Sequence, residues 1–141
     1  MVKALETVIK SQVVEIRTLQ DIEKINKLQR AYGYYLEHWM AREIIDLFSD
    51  GPDVSLTLFP GTFVGKDRIK EYFAQNKPGL KGNETNNEFY HQMMQVSGIV
   101  DVDLDGKTAK GRWYGFGAIA IPLSKGIRQE FMSGIYIAEY V

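Results

Sequence analysis

The sequence predicts one α+β domain in which N-terminal helices pack in a strongly curved, mostly antiparallel sheet. Two observations support this prediction. Apolar residues recur at helical spacing through the first third of the chain, whereas the last third alternates apolar and polar residues between turn signals. Helices that precede a meander of strands are typical of the α+β class. At 141 residues, the chain is long enough to form one core without disulfides.

The first helical region covers residues 3–47, because its apolar residues lie three or four positions apart. A capping-box pattern at residues 18–21 predicts a break or a kink in the helix near Leu19. We therefore expect residues 1–18 to form an appended helix that packs on the domain or on another subunit. Residues 19–141 are expected to form the domain itself.

The middle of the chain predicts shorter elements separated by turn residues. In chain order they are a second helical piece over Trp39–Phe48, short strands over Val54–Phe59 and Phe63–Gly65, and a third helix over Lys66–Asn76. The polar segment Lys77–Asn87 then predicts a surface loop, and it is the best lid candidate in the chain.

The segment from Glu88 to Pro122 predicts a long hairpin, because Asp105-Gly106 supplies a tight turn between two alternating stretches. A last strand is expected over Ile127–Val141. Strands this long must twist, and four glycines mark places where they can bend: Gly98, Gly111, Gly115 and Gly117. A curled antiparallel sheet has a concave face, and that face can hold a ligand.

Composition excludes several classes of partner and site. The net charge is −1 with no basic block, which argues against nucleic acid and membrane surfaces as partners. The chain has no cysteine, so disulfides and thiolate catalysis are excluded. The two histidines, His38 and His91, are far apart and have no clustered acid, so no metal site is expected. No segment is typical of a signal peptide or a membrane span, and a cytoplasmic location is expected by default.

Five motifs together resemble a known family. They are DIEKINKLQRAYGYYLE at 21–37, FVGKDRIKEYF at 63–73, His91 with Gln95, GKTAKGRWY at 106–114 and SGIYIAEY at 133–140. This set is similar to the SnoaL-like family of the nuclear transport factor 2 (NTF2-like) superfamily, near the branch that contains scytalone dehydratase, bile-acid dehydratases and a dehydrochlorinase. The resemblance implies a cone-shaped α+β fold. We expect a homodimer formed through the outer face of its sheet, or a higher homo-oligomer.

The resemblance also implies three catalytic residues. His91 stands where these enzymes place a catalytic histidine, Glu37 where they place the aspartate that pairs with it, and Tyr32 where they place a substrate-polarising tyrosine. The chain departs from the family in three ways. The acid is one methylene longer, Gly117 replaces a further acidic residue of the bile-acid dehydratases, and the sequence stops at Val141, where relatives usually continue into one more strand. Either the sequence is truncated, or the domain lacks the family's last strand and whatever that strand contributes to the site.

A paired carboxylate and imidazole have a clear chemical use. A carboxylate on one ring nitrogen of His91 would fix the tautomer, so that the other nitrogen could take a proton near neutral pH. Tyr32 could donate a hydrogen bond to a carbonyl or enolate oxygen. Tyr32 and Glu37 are roughly 140° apart on an ideal helix, so they converge only if the helix unwinds near Leu36.

The pocket itself is expected to be apolar. Trp113 and Arg112 must point to opposite faces of their strand, and we expect Trp113 to face inward. The residues predicted to bind substrate are Tyr35, Trp39, Met94, Trp113, Phe116 and Phe131.

The working hypothesis is a lyase or isomerase that acts on a hydrophobic, oxygenated ring compound without a metal or an organic cofactor. Two alternatives stay open. One is a non-catalytic module that binds a hydrophobic small molecule or dimerises. The other is a polyketide cyclase that uses an acid instead of a histidine–carboxylate pair.

Overall fold

The computed structural model describes residues 1–75 and 90–141. Within them the elements are α1 (Val2–Glu37), α2 (Ala41–Asp46), β1 (Ser55–Leu58), β2 (Gly61–Val64), α3 (Lys66–Gln75), β3 (Tyr90–Val102), β4 (Ala109–Pro122) and β5 (Ile127–Tyr140). This order of helices and antiparallel strands confirms the predicted α+β class. The predicted lid segment Lys77–Asn87 lies outside the described residues.

Helix α1 runs without interruption from Val2 to Glu37, so the predicted break near Leu19 is wrong. The hydroxyl of Thr18 explains the difference. It donates a hydrogen bond to the Val14 carbonyl, 3.0 Å away and one turn earlier in the helix, and so it caps no new helix start.

The strands form two antiparallel sheets. Strands β1 and β2 pair as a small hairpin, and β4 lies between β3 and β5 in a three-stranded sheet. The turns between these long strands are where the sequence predicts them. Gly106 and Gly126 both adopt positive φ, 66° and 88°, a conformation that glycine adopts without steric cost.

A β-bulge interrupts β3 between Val96 and Ile99. Ser97 and Gly98 both lie opposite Trp113 of β4, and Ser97 adopts a positive φ of 55°. A bulge of this kind bends its strand and increases the local twist. The prediction that β3 bends at Gly98 is therefore confirmed.

The hydrophobic core lies where the three helices meet. Ile44 of α2, Ile69 and Phe73 of α3, and Tyr32 of α1 are buried together. Burying one large apolar side chain of this kind stabilises the folded state by about 1.5 to 3 kcal/mol. This cluster fixes the C-terminal part of α1 against α2 and α3.

The second half of α1 also lies on one face of the three-stranded sheet, which we call the inner face. The Tyr140 hydroxyl donates a hydrogen bond of 2.9 Å to Oε1 of Gln29, and the rings of Tyr32 and Tyr136 meet edge to face at 6.2 Å. Towards the end of the helix, α1 packs mainly on β3. No helix in the described part of the chain combines the length and apolar character needed to span a bilayer.

Candidate functional site

The inner face of the sheet carries the candidate site, and strand pairing defines which residues belong to it. His91 pairs with Ile119, Met93 with Gly117 and Gln95 with Gly115. Paired residues in an antiparallel sheet project to the same side, and alternate residues of one strand share a face. The inner face therefore contains His91, Met93, Gln95, Trp113, Met132, Tyr136 and Tyr140.

Three of the predicted substrate-binding side chains lie on the opposite, outer face. Met94 pairs with Phe116, and Phe131 is one strand further across the sheet, beside Ala118. The Phe116 and Phe131 rings stack at 6.1 Å and are 48% and 83% exposed. The prediction that Met94, Phe116 and Phe131 line the inner pocket is therefore wrong. Their apolar character suggested a lining role, but the period of two along each strand puts them on the other side from His91.

Trp113 faces inward, as predicted, but it lies far from His91. It is 5% exposed, and its indole lies flat on the sheet, across Gly98 and Gly111. Ile119, the partner of His91, is six positions further along β4 than Trp113. At about 3.3 Å per residue, this is roughly 20 Å along the strand. Trp113 therefore closes the far end of the inner face, near Tyr140, whose ring it meets at 6.2 Å.

Glu37 is the last residue of α1, and the way the helix ends fixes its position. The Met40 amide donates to the Tyr35 carbonyl at 2.8 Å, and the Trp39 amide donates to the Leu36 carbonyl at 3.2 Å. This pair of hydrogen bonds is a Schellman motif, which normally has glycine at the position that Trp39 occupies. Trp39 has a φ of 48°, so it adopts the left-handed conformation that a bulky side chain disfavours.

Contacts of the Trp39 side chain offset this backbone strain. Its indole N–H donates a 3.2 Å hydrogen bond to the Phe73 carbonyl, and its ring meets the Phe73 ring edge to face at 5.7 Å. Tyr35 is half-buried beside the core. Trp39 was predicted to bind substrate. In the structure its indole N–H attaches the end of α1 to α3.

His91 and Glu37 lie close enough to interact electrostatically. Burial lowers the pKa of the His91 imidazole below its ordinary value of 6.5, and the negative charge of Glu37 acts in the opposite direction. Because desolvation is the larger effect, the imidazole is mostly neutral at neutral pH and can accept a proton. The structure thus brings together two of the three residues that were predicted to be catalytic.

Tyr32, the third of these residues, belongs to the buried core. Burial raises the pKa of its hydroxyl above 10, so the group stays protonated and can donate a hydrogen bond. Helix α1 stays regular through Glu37, so the unwinding near Leu36 that would bring Tyr32 and Glu37 together does not occur. The two side chains leave the helix in different directions, Tyr32 towards Tyr136 and Glu37 towards His91.

Gln95 is an inner-face polar residue that the sequence analysis did not assign to the site. A Cβ on Gly33 would lie 2.5 Å from Oε1 of Gln95, so the absence of a side chain at Gly33 makes room for the carboxamide. Gly33 therefore marks a close approach of α1 to β3. Gln95 also acts on Tyr136, whose pKa it lowers by hydrogen bonding while burial, the larger effect, raises it. The spacing of four residues from His91 along one strand would have identified it.

The titratable groups near His91 are of the kind that transfers protons. Within residues 1–75 and 90–141, no three histidine, aspartate or glutamate side chains cluster at a distance suitable for one metal ion. Instead, a desolvated imidazole lies near one carboxylate, with protonated tyrosine hydroxyls further along the inner face.

Known structures share this fold. A candidate scytalone dehydratase from Novosphingobium aromaticivorans superposes with a TM-score of 0.69 and 15% identity, over 89% of this chain and 76% of that one. An NTF2-like protein with a cystatin-like fold from the same organism superposes with a TM-score of 0.61 and 18% identity, over 89% of this chain and 76% of that one. A Mycobacterium tuberculosis protein of unknown function superposes with a TM-score of 0.61 and 16% identity, over 86% of this chain and 63% of that one. This chain thus spans less than two thirds of the length of the Mycobacterium protein.

At these identities the structural likeness shows the fold alone. Among curated proteins, none matches the sequence. The sequence does match the SnoaL-like domain over residues 17–141, which is most of the chain. The chain therefore belongs to the SnoaL-like family of the NTF2-like superfamily.

Proposed function

We propose that the protein is a lyase or isomerase of the dehydratase type that needs no metal or organic cofactor and acts on a hydrophobic, oxygenated ring compound. One observation carries the proposal. An imidazole with a lowered pKa lies within electrostatic reach of a helix-end carboxylate on the inner face of the sheet. The fold of a candidate scytalone dehydratase, which this chain shares, also supports a dehydratase-like reaction.

In the proposed reaction His91 is the general base. Its neutral imidazole takes a proton from a carbon next to a carbonyl group, and the electron pair of the broken C–H bond forms a C=C bond. In an elimination, the C–O bond to a hydroxyl group breaks, and the imidazolium returns its proton to the departing oxygen, which leaves as water. In an isomerisation, the proton returns to another carbon. Glu37 stabilises the imidazolium that forms between the two proton transfers.

The inner-face tyrosines would stabilise the oxygen on which negative charge develops. Burial keeps the hydroxyls of Tyr32 and Tyr136 protonated, because it raises the pKa of both. A protonated hydroxyl in a partly dry site is a stronger hydrogen-bond donor to an enolate oxygen than to the ground-state carbonyl. We propose that Tyr136, which lies on the inner face beside Gln95, takes this electrophilic role in place of Tyr32, which belongs to the buried core.

Substrate turnover by matched histidine variants tests the base assignment. We expect His91→Ala to lower kcat/KM for cyclic β-hydroxy ketones by roughly 100- to 10,000-fold, the usual contribution of a general base. His38→Ala is the control, because His38 is exposed and stacks on Tyr34 at 4.3 Å, away from the inner face. Equal activity of the parent and His91→Ala would refute the base assignment.

The same experiment separates the two alternatives. A polyketide cyclase that relies on an acid would keep its activity in His91→Ala and lose it in Glu37→Gln. A non-catalytic module would bind the ring compounds in a calorimetric titration and turn over none of them in any variant.

The apolar outer face supports a further part of the proposal, a homodimer formed through the sheet. Its exposed residues include Val96, Ile99, Tyr114, Phe116, Phe131, Ile135 and Ile137. Contiguous exposed apolar surface on a protein of this size is typical of an interaction site.

A further inference from the structure

The first half of α1 carries an apolar stripe that is not covered by the part of its own domain formed by residues 1–75 and 90–141. Every side chain from Met1 to Arg17 is exposed. The stripe consists of large apolar residues that are 51 to 69% exposed: Val2, Leu5, Ile9, Ile16 and Leu19. We call it the N-terminal stripe.

In the described part of the chain, α1 meets its own domain with a different side of the helix from this stripe. The residues with which α1 contacts its own domain include Ile22, Ile25, Gln29, Tyr32 and Leu36, which are buried or half-buried. At 100° per residue, the centre of the N-terminal stripe is roughly 150° from the centre of this domain-facing set. The N-terminal stripe therefore points away from the described part of its own domain, where a second chain can reach it.

The spacing of the N-terminal stripe is that of a heptad repeat. Val2, Ile9 and Ile16 are seven residues apart and occupy the a positions, and Leu5 and Leu19 occupy d positions. Gln12 is the remaining d residue, and Val14 is the large apolar residue that this register leaves outside the seam. β-Branched residues at a with leucine at d favour two parallel strands, and a polar residue in the seam helps to set the register.

The residues that flank the seam agree with a parallel arrangement. Val8 is at a g position and Val13 at an e position, and in a parallel pair the g residue of one chain faces the next e residue of the other. Two Val8–Val13 contacts would thus extend the apolar seam on both sides. Lys3, Lys10 and Arg17 are at b positions, where they point away from the partner.

The helix also needs a partner for its own stability. An isolated helix of fewer than about 12 to 15 residues is marginal in water, and packing of an apolar face supplies most of the stability of longer ones. Two hydroxyls in this half, those of Thr7 and Thr18, donate to the carbonyl four residues earlier, which stabilises a helix little.

We propose that residues 2–19 form a parallel two-stranded coiled coil with the same segment of a second copy of this chain. The occupant of the N-terminal stripe is its own counterpart, held in register by Gln12. The two domains then lie at the same end of the coiled coil. This contact is separate from the sheet-mediated dimer proposed above and does not depend on the catalytic proposal.

Cysteine cross-linking tests the proposal cleanly, because the chain contains no cysteine. Single variants Leu5→Cys and Leu19→Cys are treated with a short bis-maleimide, and cross-linked chains are counted on a denaturing gel. Each variant is expected to link to its own copy at least roughly tenfold more than Thr7→Cys, which is at the outward-facing f position. Leu5 and Leu19 are exposed in the single chain, so these changes do not disturb the fold of the domain.

Two results would overturn the proposal. An antiparallel pair would link a mixture of the two variants while neither links to itself, because Leu5 of one chain would then lie near Leu19 of the other. A dimer held only by the outer face of the sheet would link none of them above the Thr7→Cys level.

A second variant pair tests the seam directly. Ile16→Asp in the Leu5→Cys background is expected to reduce the cross-link at least roughly tenfold, since it places a charge at an a position. Arg17→Asp in the same background also changes charge, but at the outward-facing b position, so its cross-link should remain. A cross-link that survives Ile16→Asp would contradict the coiled coil.

Discussion

The inner and outer faces of the β3–β4–β5 sheet both carry large aromatic and aliphatic side chains, yet they differ in burial and in what surrounds those side chains. On the inner face, Trp113 is 5% exposed, lies across two glycines and meets the Tyr140 ring. On the outer face, its strand neighbour Tyr114 is 62% exposed. The comparison teaches that apolar character does not identify the site face of this sheet.

The glycines on the inner face make the difference. A Cβ on Gly98 or Gly111 would lie 2.0 or 2.1 Å from atoms of the Trp113 ring, and a Cβ on Gly115 would lie 2.7 Å from the Tyr136 ring. Because these glycines have no side chain, the large rings can lie flat on the sheet and leave room for α1. The inner face thus combines a few large side chains with positions that have none.

Removing one aromatic ring from each face tests the difference in burial between the two faces. Trp113→Ala is expected to lower the free energy of unfolding by about 3 to 5 kcal/mol, because it leaves a cavity on the inner face. Tyr114→Ala should change it by no more than about 0.5 kcal/mol in the single chain, since that ring is mostly exposed. Chemical denaturation of both variants measures the difference.

Equal losses in these two variants would contradict the distinction between the faces. A loss for Tyr114→Ala that grows with protein concentration would sharpen it instead, because it would show that the outer face is buried in a dimer.

A smaller effect is expected from adding a methyl group at matched inner-face glycines. Gly111→Ala should lower the free energy of unfolding by about 1 to 3 kcal/mol, because its Cβ meets the rigid Trp113 ring. Gly134→Ala is the control, since no atom lies within 4 Å of the position of its Cβ. Thermal and denaturant unfolding measure both changes. An equal loss in the free energy of unfolding for Gly134→Ala and Gly111→Ala would contradict the claim that Trp113 needs glycine beneath its ring.

The order of elements could be predicted from sequence because local signals define it. Helical periodicity, the Asp105-Gly106 turn and the alternation along β3 and β4 each depend on residues near one another in the chain. The break near Leu19 was mispredicted for the same reason. A local capping pattern was visible, but the alternative hydrogen bond from Thr18 to Val14 was not.

The site could be predicted only in part, because it depends on which face each strand residue takes. The pairing of His91 with Glu37 came from family resemblance, and no local pattern links residues so far apart in sequence. The prediction places Phe116 and Phe131 on the wrong face, because apolar character does not show whether a side chain projects to the same side of the sheet as His91. Counting in twos from His91 along β3 would have excluded Met94 and selected Gln95, whereas the face of Phe116 depends on how β4 pairs with β3.

The electrostatic contact between α1 and β3 is the central claim about the site, and one NMR titration tests it most directly. The imidazole C2–H signal of His91 is followed with pH in the parent and in Glu37→Gln, and a His91→Gln spectrum assigns it among the two histidines. We expect the pKa of His91 in the parent to be below 6.5, because burial disfavours the charged ring.

In Glu37→Gln the pKa of His91 should fall further, because the nearby negative charge that raises it is gone. Glu139→Gln removes the same charge at an exposed site near the other end of the sheet, and it should leave the His91 titration unchanged. A pKa of His91 that is the same in the parent and in Glu37→Gln would contradict the contact, and the proposed base and its partner with it.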